Sequence, residues 1–570
     1  MINNIKPERN KSAEKTGQHS DPVSADTPRY MNPLIVQSDM SVLLEVMNPL
    51  FEEARDALNS FAELQKSPEY MHTYKITPLS LWNAASSGTS SEAVVAALRK
   101  YAKHDIPEVV AASIADYGRR YGKIRLVAEG DAFYLECADA DTLLEARTIL
   151  KAPEGDRIRV SSAFRGQIKQ ILLKAGYPVV DLAGYSEAAA FRVELNGSFT
   201  QRWYQTEAAD AFHAGGGVTG GSGVVVLPCG AGKTIVGMVV MEKVNSETLI
   251  LTTGITALRQ WRSELLDKTG LSPDDIGEYS GERKEIRPIT ITTYQTLTQR
   301  RDKDSPFIHF ELFNRRNWGL IIYDEVHMLP APVFRATAEI QSKRRLGLTA
   351  TLIREDGLET DVFSLIGSKK YDLPWKSLEK AGYIAEAYCT EVRVKLPAQE
   401  RRAYSAADPR QKFRIAAENS AKIGAMNELL KKHRDDNVII IGQYIDQVKK
   451  ISEALGAPLI MGSTPSRERE RIYGEFRRGY IKLIVVSKVA NFAIDLPDAN
   501  VAIELSGAFG SRQEEAQRLG RILRPKPGDN RAWFYAIVSE DTNEMDFSAK
   551  RQMFLTEQGY KYAISGAAVS

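Results

Sequence analysis

Short apolar runs alternate with amphipathic stretches through the middle of the chain. Five runs rich in β-branched or aliphatic residues stand between stretches with helical spacing: GVVVL (223–227), TLILTT (248–253), ITITTY (289–294), GLIIY (319–323) and RRLGLTA (344–350). Runs that are apolar on both faces are typical of strands in parallel sheets that helices cover. The alternation therefore predicts a doubly wound α/β domain over residues 197–372.

A second series of the same kind follows a connector near residues 373–385. Its runs are VIIIGQ (438–443), PLIMG (458–462), KLIVVSK (482–488), VAIEL (501–505) and WFYAIVS (533–539). Together the two series predict an α/β protein with two RecA-like, doubly wound parallel-sheet domains that face a cleft. The second of these domains is expected over residues 373–570.

The N-terminal part of the chain has a different pattern, which predicts accessory domains. Residues 1–32 are polar and interrupted by prolines, which is typical of a disordered tail. In residues 33–122 the pattern predicts two strands joined near Ser38, one amphipathic helix over 51–65 and three short helices after Thr77. A module of this kind is either a winged-helix-like unit or a plain interaction domain without chemistry.

Residues 123–196 predict an accessory domain of the α+β class. The segment KIRLVAEGDAFYLECA is typical of a hairpin that turns at Gly130, and a helix through Leu150 follows it. The remaining pattern predicts a strand (RIRVSS), a helix over 164–175 and a last strand, FRVEL, at 191–195.

Composition and charge exclude several classes of protein. The 570 residues are 43% hydrophobic, which is enough for the cores of three or four domains. The formal net charge is +2, so a nucleic-acid site has to be a local basic groove. Three cysteines and seven histidines without metal spacing argue against a disulfide framework and a structural zinc, and they fit a reducing cytoplasm. No apolar run reaches the ~18 residues of a membrane span, so no membrane contact is expected.

The strand GVVVL leads into the sequence LPCGAGKT, which indicates a phosphate-binding loop. Its glycines let backbone N–H groups approach a phosphate closely, and the N-terminus of the following helix attracts the anion. Lys233 would reach the β- and γ-phosphates of ATP, and the Thr234 hydroxyl would bind Mg²⁺. The residues expected to bind the nucleotide are Pro228, Cys229, Gly230, Ala231, Gly232, Lys233 and Thr234. For this segment alone, a chance glycine-rich turn before a helix is the alternative.

Two carboxylates, Asp324 and Glu325, come directly after the predicted strand GLIIY. Open α/β sheets bind ligands beyond the carboxyl ends of their strands, so this acidic pair is expected near the phosphate loop. Asp324 would hold Mg²⁺, and Glu325 would orient and deprotonate the attacking water. A lone acidic pair is usually part of a solvated loop, but here both motifs stand at strand ends in the order that a nucleotide-binding sheet requires.

Two further groups of residues are candidates for the nucleotide cleft. Arg202 and Gln205 precede the loop and would read the adenine edge, unless they only begin a solvated helix. In EAQRLGRILR, helical spacing puts Gln517, Arg521 and Arg524 on one face. The two arginines would neutralise charge on the transferring γ-phosphate, which is the role of an arginine finger. A basic helix without this role is the alternative.

Four more residues are candidates for coupling the nucleotide to other parts of the molecule. Asp495 would bind the ribose or couple the domains. Thr349 and Thr351, at the end of a predicted strand, and His327 would link hydrolysis to the nucleic-acid face through hydrogen bonds. Ordinary turn chemistry explains the aspartate and the threonines equally well.

Taken together, these segments resemble the XPB family of superfamily 2 helicases over nearly the whole chain from about Pro33. The resembling segments are LPCGAGKT, DEVH, LGLTATLIREDG, SKVANFAIDLP, GSRQEEAQRLGRILR and KRQMFLTEQGY. Arg354, Glu355 and Asp356 match the family's RED motif. Trp203 departs from the family, which usually has proline there, so the resemblance leaves details of the adenine pocket open.

The resemblance implies a DNA-dependent ATPase that uses ATP and Mg²⁺, moves 3′ to 5′ and opens DNA during repair. Its substrate would be duplex, forked or single-stranded DNA, and a nuclease or another repair protein is an implied partner. The resemblance also implies a damage-recognition-like domain at 123–196 and a thumb-like insertion at about 399–420. The thumb would contact phosphates, or else it is a solvated helical hairpin.

Other functions remain open at the level of the sequence. A translocase on double-stranded DNA would remodel complexes or recruit a nuclease without processive unwinding, and an RNA helicase would have a similar build. An ATP-switched scaffold belongs to a different class. The complete set of Lys233, Asp324, Glu325, Arg521 and Arg524 argues against a degenerate scaffold. A GTPase would need a base-reading N-K-x-D after a strand, which is missing.

Overall fold

The structure of the 570-residue chain is a computed structural model. It describes residues 29–130, 132–302, 305–341, 343–352, 359–487, 499–507, 515, 518–520, 522–523 and 530–566. The predicted disordered tail lies almost entirely outside these ranges. Within them, no helix is both long and apolar enough to cross a membrane.

The first accessory region adds an antiparallel sheet to the helices that the sequence predicts. Its elements are β1 (Leu34–Val36), β2 (Ser41–Glu45), α1 (Phe51–Asn59), β3 (Glu63–Lys66), β4 (Met71–Lys75), α2 (Pro78–Ser86), α3 (Ser91–Tyr101) and α4 (Glu108–Arg120). The sheet order is β1-β2-β4-β3. The single helix predicted over 51–65 is wrong beyond Asn59, because Leu64 turns into the core as part of β3 and pairs with Tyr74.

The second accessory region is α+β, as predicted, with a small mixed sheet. Its elements are β5 (Ile124–Glu129), β6 (Ala132–Cys137), α5 (Ala140–Leu150), β7 (Ile158–Val160), α6 (Arg165–Lys174) and β8 (Val179–Asp181), in the sheet order β7-β6-β5-β8. The strand predicted at 191–195 is wrong. Only isolated bridges occur there, between Ala190 and Ser246 and between Leu195 and Thr269, so the segment lies along the next domain without joining a sheet.

The first RecA-like domain is built on a seven-stranded parallel sheet. Its elements are α7 (Trp203–His213), β9 (Ser222–Val226), α8 (Lys233–Val244), β10 (Thr248–Thr252), α9 (Ile255–Lys268), β11 (Ile276–Tyr279), β12 (Ile289–Thr293), α10 (Tyr294–Leu297), β13 (Leu320–Asp324), α11 (Ala331–Glu339), β14 (Arg344–Thr349), α12 (Glu359–Asp361) and β15 (Lys369–Asp372). The strand order is β11-β12-β10-β13-β14-β9-β15. Neighbouring residues such as Ile321 and Ile322 pack into hydrophobic clusters on opposite faces, which is why the central strands are continuous apolar runs.

The second RecA-like domain is another parallel sheet of seven strands. Its elements are α13 (Trp375–Lys380), β16 (Glu386–Val394), α14 (Ala398–Ala406), α15 (Pro409–Ala417), α16 (Ala421–Lys432), β17 (Val438–Gly442), α17 (Ile445–Leu455), β18 (Leu459–Ile460), α18 (Ser466–Arg477), β19 (Leu483–Ser487), β20 (Val501–Glu504), β21 (Arg531–Ser539), α19 (Asn543–Glu557) and β22 (Tyr562–Gly566). The strand order is β18-β19-β17-β20-β21-β16-β22.

Both accessory regions are fixed to the RecA-like domains by specific contacts. In the second region, the buried Lys169 ammonium donates to Asp181 Oδ2 (2.9 Å) and, across the domain boundary, to Gln341 Oε1 (2.5 Å). The first region touches both RecA-like domains, since Asn83 Oδ1 accepts from Lys369 N of the first (3.1 Å) and Asn59 Nδ2 donates to the Glu557 carbonyl of the second (2.8 Å). An extended accessory arm without contacts would leave these polar groups in water.

Candidate active site

The loop after β9 wraps around a position suited to a phosphate group. Leu227 N donates to the Thr349 carbonyl (3.0 Å), which ties the start of the loop to the neighbouring strand β14. Gly230 and Gly232 have φ angles of 79° and 82°, a left-handed conformation that side chains disfavour. Helix α8 begins directly afterwards at Lys233. The loop therefore presents backbone N–H groups and a helix N-terminus at the same place.

Helix α7 braces this loop from behind. Tyr204 OH and Gln205 Nε2 each donate to the Ala231 carbonyl at 2.9 Å. A Cβ at Gly232 would lie 2.5 Å from Gln205 Nε2, so the amide and the loop are in direct contact. The Gln205 side chain is 4% exposed, and its Oε1 accepts from Arg202 N (2.9 Å). The structure thus places Gln205 as a support of the phosphate loop.

Arg202 lies at the boundary with the second domain. Its Nη1 donates to Tyr204 OH (2.9 Å), and its guanidinium carbon lies 5.0 Å from the centre of the Tyr383 ring. The rings of Tyr204 and Tyr383 also meet edge to face, with centroids 5.6 Å apart. Arg202 therefore stands among aromatic rings that a planar base can join by stacking.

Lys233 and Glu325 face each other in the cleft. Lys233 Nζ lies 3.5 Å from Glu325 Oε1, and both side chains are largely buried. Burial alone would lower the pKa of Lys233, but the carboxylates of Glu325 and Asp324 outweigh it and hold that pKa above its usual value. Burial would likewise raise the pKa of Glu325, and the Lys233 ammonium keeps it below its usual value. Both groups are therefore charged at neutral pH.

Glu325 has an unusual backbone conformation for its residue type. Its φ of 49° puts it in the left-handed region immediately after β13. Within the described residues, its buried Oε2 atom has no hydrogen-bond partner. Strain and an unsatisfied buried oxygen at one residue are features that concentrate in active sites, where a ligand completes the bonding.

Asp324 is held by groups from two other elements. Trp261 Nε1 of α9 donates to Asp324 Oδ2 (2.9 Å), and Tyr294 OH of α10 donates to the Asp324 backbone carbonyl (2.8 Å). Burial and then the nearby Glu325 carboxylate raise the pKa of Asp324 to about 6. Two carboxylates in one buried place, next to one ammonium, form a site with excess negative charge that a divalent cation would neutralise.

His327, Thr349 and Thr351 form a buried chain of hydrogen bonds beside these carboxylates. His327 Nδ1 lies 2.6 Å from Thr349 Oγ1 and 3.5 Å from Glu325 Oε2. The Thr349 hydroxyl donates to the Thr351 carbonyl (2.5 Å) and accepts from Thr351 N (3.1 Å). The chain links the position of Glu325 to the end of β14.

The second domain reaches the phosphate loop through Gly520. A Cβ at Gly520 would lie 2.1 Å from Cys229 Cβ and 2.9 Å from its Sγ, so only glycine permits this approach. Gly520 is the residue before Arg521 in the chain. The segment that carries the predicted arginines therefore meets the loop at Cys229.

Several predicted site residues lie outside the described residues: Asp495, Gln517, Arg521, Arg524, Arg354, Glu355 and Asp356. Thr234 follows Lys233 in the first turn of α8 and is half-buried, and Pro228 and Ala231 are buried. The structure brings together Lys233, Asp324, Glu325, His327 and Thr349. The sequence prediction had missed Trp261 and Tyr294, which contact Asp324, and Tyr204, which contacts the loop.

The residues present fit ATP with a divalent cation. The left-handed glycines and the buried Lys233 ammonium suit a phosphate chain, and the oxygen-only donors of Asp324 and Thr234 are the type that Mg²⁺ prefers. The unsatisfied Glu325 Oε2 has the chemistry to accept a proton from water. No cluster of three or more metal-ligating side chains occurs in the described part of the chain.

Comparisons with known proteins agree with this geometry. Three family models match: ERCC3/RAD25/XPB C-terminal helicase at residues 378–569, helicase conserved C-terminal domain at residues 34–160, and type III restriction enzyme, res subunit, at residues 198–354.

Curated relatives extend the similarity over almost the full length. The chain is 52% identical to a DNA 3′-5′ helicase XPB of Mycobacterium tuberculosis, covering 94% of this chain and 98% of the relative. It is 51% identical to a protein of the same name from Kineococcus radiotolerans, covering 94% and 96%. It is 34% identical to the general transcription and DNA repair factor IIH helicase/translocase subunit XPB of Encephalitozoon cuniculi, covering 94% and 82%. The chain therefore belongs to the XPB family of helicases.

Proposed function

We propose that the chain is an ATP-dependent DNA helicase that moves 3′ to 5′ and couples ATP hydrolysis to the opening of DNA, with DNA repair as its setting. The observation that carries this proposal is the buried group of Lys233, Asp324 and Glu325 at the carboxyl ends of the first parallel sheet. The names of the bacterial relatives support the choice of DNA and of the polarity.

In this proposal the first domain binds and activates the nucleotide. Lys233 binds the β- and γ-phosphates, while Asp324 and Thr234 hold Mg²⁺. When bound there, the metal would supply positive charge to the phosphate oxygens. Glu325 orients the attacking water and accepts its proton, which is the role that its ionised and unsatisfied carboxylate suits.

The second domain supplies the opposite wall of the same site. We assign Arg521 and Arg524 to the γ-phosphate, Gln517 to the hydrolytic centre and Asp495 to the ribose. The contact of Gly520 with Cys229 supports this assignment, because it brings the adjacent backbone against the loop. His327, Thr349 and Thr351 couple hydrolysis to the DNA-binding face, together with Arg354, Glu355 and Asp356.

The remaining parts of the chain are assigned to DNA and to partners. Residues 123–196 form the damage-recognition-like domain, and the helical hairpin over about 399–420 acts as a thumb on the DNA backbone. A nuclease or another repair protein is the expected partner. A reducing cytoplasm remains the expected location, since the cysteines form no disulfide in the part of the chain that the structure describes.

The test compares ATPase stimulation and strand displacement on defined nucleic acids. Duplex DNA, forked DNA, RNA, and DNA with a 3′ or a 5′ tail are added to the full chain and to a Glu325→Gln variant. A helicase of the proposed type hydrolyses ATP faster with DNA and displaces the strand on a 3′ tail, and the variant does neither. Stimulation by duplex DNA without displacement would favour a translocase, and no stimulation by any nucleic acid would favour a scaffold.

A further inference from the structure

Trp261 is a buried tryptophan whose indole N–H donates to a carboxylate of the site. The residue lies in α9, and 2% of its surface is exposed. Its Nε1 donates to Asp324 Oδ2 at 2.9 Å. A buried indole N–H requires a partner, but a backbone carbonyl usually serves.

The position of the ring is fixed by the helix that follows the phosphate loop. A Cβ at Gly237 of α8 would lie 2.5 Å from the outer edge of the Trp261 ring, so the indole fits against α8 only because residue 237 is glycine. Leu348 of β14 also comes within contact distance of that point. The N–H is therefore aimed at Asp324 by packing against two elements of the site.

A second buried tryptophan in the same domain shows the ordinary arrangement. Trp318 is fully buried, and its Nε1 donates to the backbone carbonyl of Leu312 at 2.9 Å. The two indoles are alike in burial and in hydrogen-bond length. They differ in the acceptor, which is a peptide oxygen for Trp318 and a carboxylate at the nucleotide cleft for Trp261.

We propose that Trp261 is a positioning residue for the metal ion: its N–H occupies one oxygen of Asp324, fixes the carboxylate and leaves the other oxygen as the metal ligand. This inference rests on the proposed function, because it assigns Mg²⁺ to Asp324. A hydrogen bond from outside the metal shell holds a ligand in place and commonly changes metal affinity by about 10- to 100-fold.

Loss of the Trp261 N–H should therefore weaken the binding of Mg²⁺ without weakening the binding of the nucleotide itself. The phosphate loop and Lys233 contact the nucleotide without help from Trp261. Loss of the indole N–H leaves Asp324 Oδ2 without that donor, so the carboxylate turns to find another. Without the indole N–H, we expect the Mg²⁺ concentration that gives half of the metal-dependent change in ADP binding to rise about tenfold. The affinity for ADP without metal should stay the same.

The experiment uses the full chain with Trp261→Phe, and Trp318→Phe as the matched control. Both changes remove a buried indole N–H and leave a similar cavity. Binding of a fluorescent ADP is titrated against Mg²⁺ for each protein, with circular dichroism as the check of folding. The proposal expects a shifted Mg²⁺ dependence for Trp261→Phe alone. An unshifted dependence, or an equal shift in both variants, would overturn it.

If Trp261→Phe does not fold, a measurement on the wild-type protein tests the role of Trp261 instead. The wild-type protein has six tryptophans, so labelling of the indole nitrogens gives six N–H signals in a nuclear magnetic resonance spectrum. With ADP bound, one of them is expected to shift on addition of Mg²⁺, and Trp318→Phe is expected to retain that signal. No shift, or loss of the shifting signal in Trp318→Phe, would contradict the proposal.

Failure of this inference is distinguishable from failure of the proposed function. If wild-type and Trp261→Phe proteins hydrolyse ATP with the same Mg²⁺ dependence while Glu325→Gln is inactive, only the role of Trp261 is wrong. If the wild-type protein shows no nucleic-acid-stimulated hydrolysis, the proposed function is wrong.

Discussion

The two RecA-like domains have the same strand order, yet the connection after the first strand has different chemistry in each domain. Numbered from its first strand, each sheet has the order 3-4-2-5-6-1-7, from β11 to β15 in one and from β18 to β22 in the other. The connection after the first strand differs. In the first domain it is the phosphate loop before α8, and in the second it is the helical hairpin α14–α15 before α16. The same position in the repeated fold thus holds a phosphate-binding loop in one domain and a helical hairpin in the other.

The acids at the ends of the fifth strands show the same contrast. Strand β13 ends at Asp324, and the corresponding strand β20 ends at Glu504. Glu504 is 1% exposed and lies 2.7 Å from Arg518 Nη1 and 3.1 Å from Arg551 Nη2. Asp324 has no such arginines among the described residues and shares its place with Glu325 and Lys233. The fold supplies a position for an acid, and the neighbouring cations decide whether that acid supports the structure or is available to a ligand.

The largest expected effect is on catalysis in the first domain. Glu325→Gln removes the proposed base but keeps the shape of the side chain, so DNA-stimulated ATP hydrolysis should fall by about 10²- to 10⁴-fold. Binding of ADP should remain that of the wild type. Steady-state ATPase assays and ADP titrations measure the two quantities. A variant that retains wild-type turnover would remove Glu325 from the mechanism.

The matching change in the second domain should act on stability. Glu504→Gln removes the acid nearest to Arg518 and Arg551 and leaves them only the more distant Glu515 carboxylate, at 4.0 and 3.6 Å, which should lower the free energy of unfolding by up to about 3–5 kcal/mol. Urea unfolding followed by circular dichroism measures it. Glu282→Gln is the control, because Glu282 pairs with Arg259 on the surface and its loss should cost less than about 1 kcal/mol. Equal unfolding curves for the two variants would show that Glu504 is not a structural anion.

A pH titration tests the opposite environments of the two acids. Burial, followed by the Glu325 carboxylate, raises the pKa of Asp324 to about 6 in the folded state, above its ordinary value of 3.8. The folded protein then binds more protons than the unfolded one between these values, so stability from this group is complete below pH 3.8 and is lost as pH rises through 6. Without metal, Asp324→Asn should therefore be more stable than wild type at pH 7, by up to about 3 kcal/mol.

The control for this titration is the acid in the second domain. Although burial opposes it, Arg518 and Arg551 lower the pKa of Glu504 to about 2, below its ordinary value of 4.5. Its stabilising effect is present above pH 4.5 and is lost as pH falls toward 2. The free energy of unfolding of Glu504→Gln should therefore be lower than that of the wild type, and the difference should be largest at neutral pH. Urea unfolding at pH 4 and pH 7 measures both variants. If both variants changed the free energy of unfolding in the same direction at pH 7, the two acids would not be in opposite environments.

A change in the packing between the two domains should have a smaller effect on ATP turnover. Gly520→Ala places a methyl group against Cys229, and overpacking of this kind costs about 1–3 kcal/mol. Because the strain is present only when the second domain meets the loop, the closed state should be less populated and ATP turnover should fall by about 5- to 100-fold. Gly424→Ala in α16 is the control, since the added methyl group meets no atom within 4 Å. Equal turnover in both variants would contradict a catalytic role for the contact.

The sequence predicted five strands of each sheet and missed β11 and β15 in the first sheet and β16 and β22 in the second. The runs of β9, β10, β12, β13 and β14 are buried on both faces, so each is apolar along its length. The edge strands β15 and β22 are largely exposed or half-exposed, and β16 alternates polar and apolar residues, so none of the three is a continuous apolar run. Conversely, FRVEL alternates like a strand but has no sheet to join.

The candidate site could be predicted only as far as local motifs reach. The glycines before Lys233 and the acids after β13 are recognisable because their chemistry depends on neighbours in the sequence. Trp261 is 63 residues from Asp324, and its role depends on the tertiary packing that brings α9 to the end of β13. Gln205 illustrates the same limit, since its amide is bonded to the loop at Ala231. Contacts of this kind follow from tertiary packing, which a motif does not encode.

The smallest expected effect concerns the hairpin that takes the place of the phosphate loop in the second domain. Arg402 of α14 and Arg410 of α15 are exposed. If this hairpin contacts the DNA backbone, the double change Arg402→Ala and Arg410→Ala should weaken DNA binding a few-fold and reduce the slope of log K against log salt by about 2. ATP hydrolysis without DNA should be unchanged. Fluorescence anisotropy with labelled duplex DNA at several salt concentrations measures the slope.

Arg434→Ala is the control, because Arg434 is exposed beyond α16 and pairs with Asp435. An unchanged slope in the double variant would leave the hairpin as a solvated element, and the two connections would then differ only in shape.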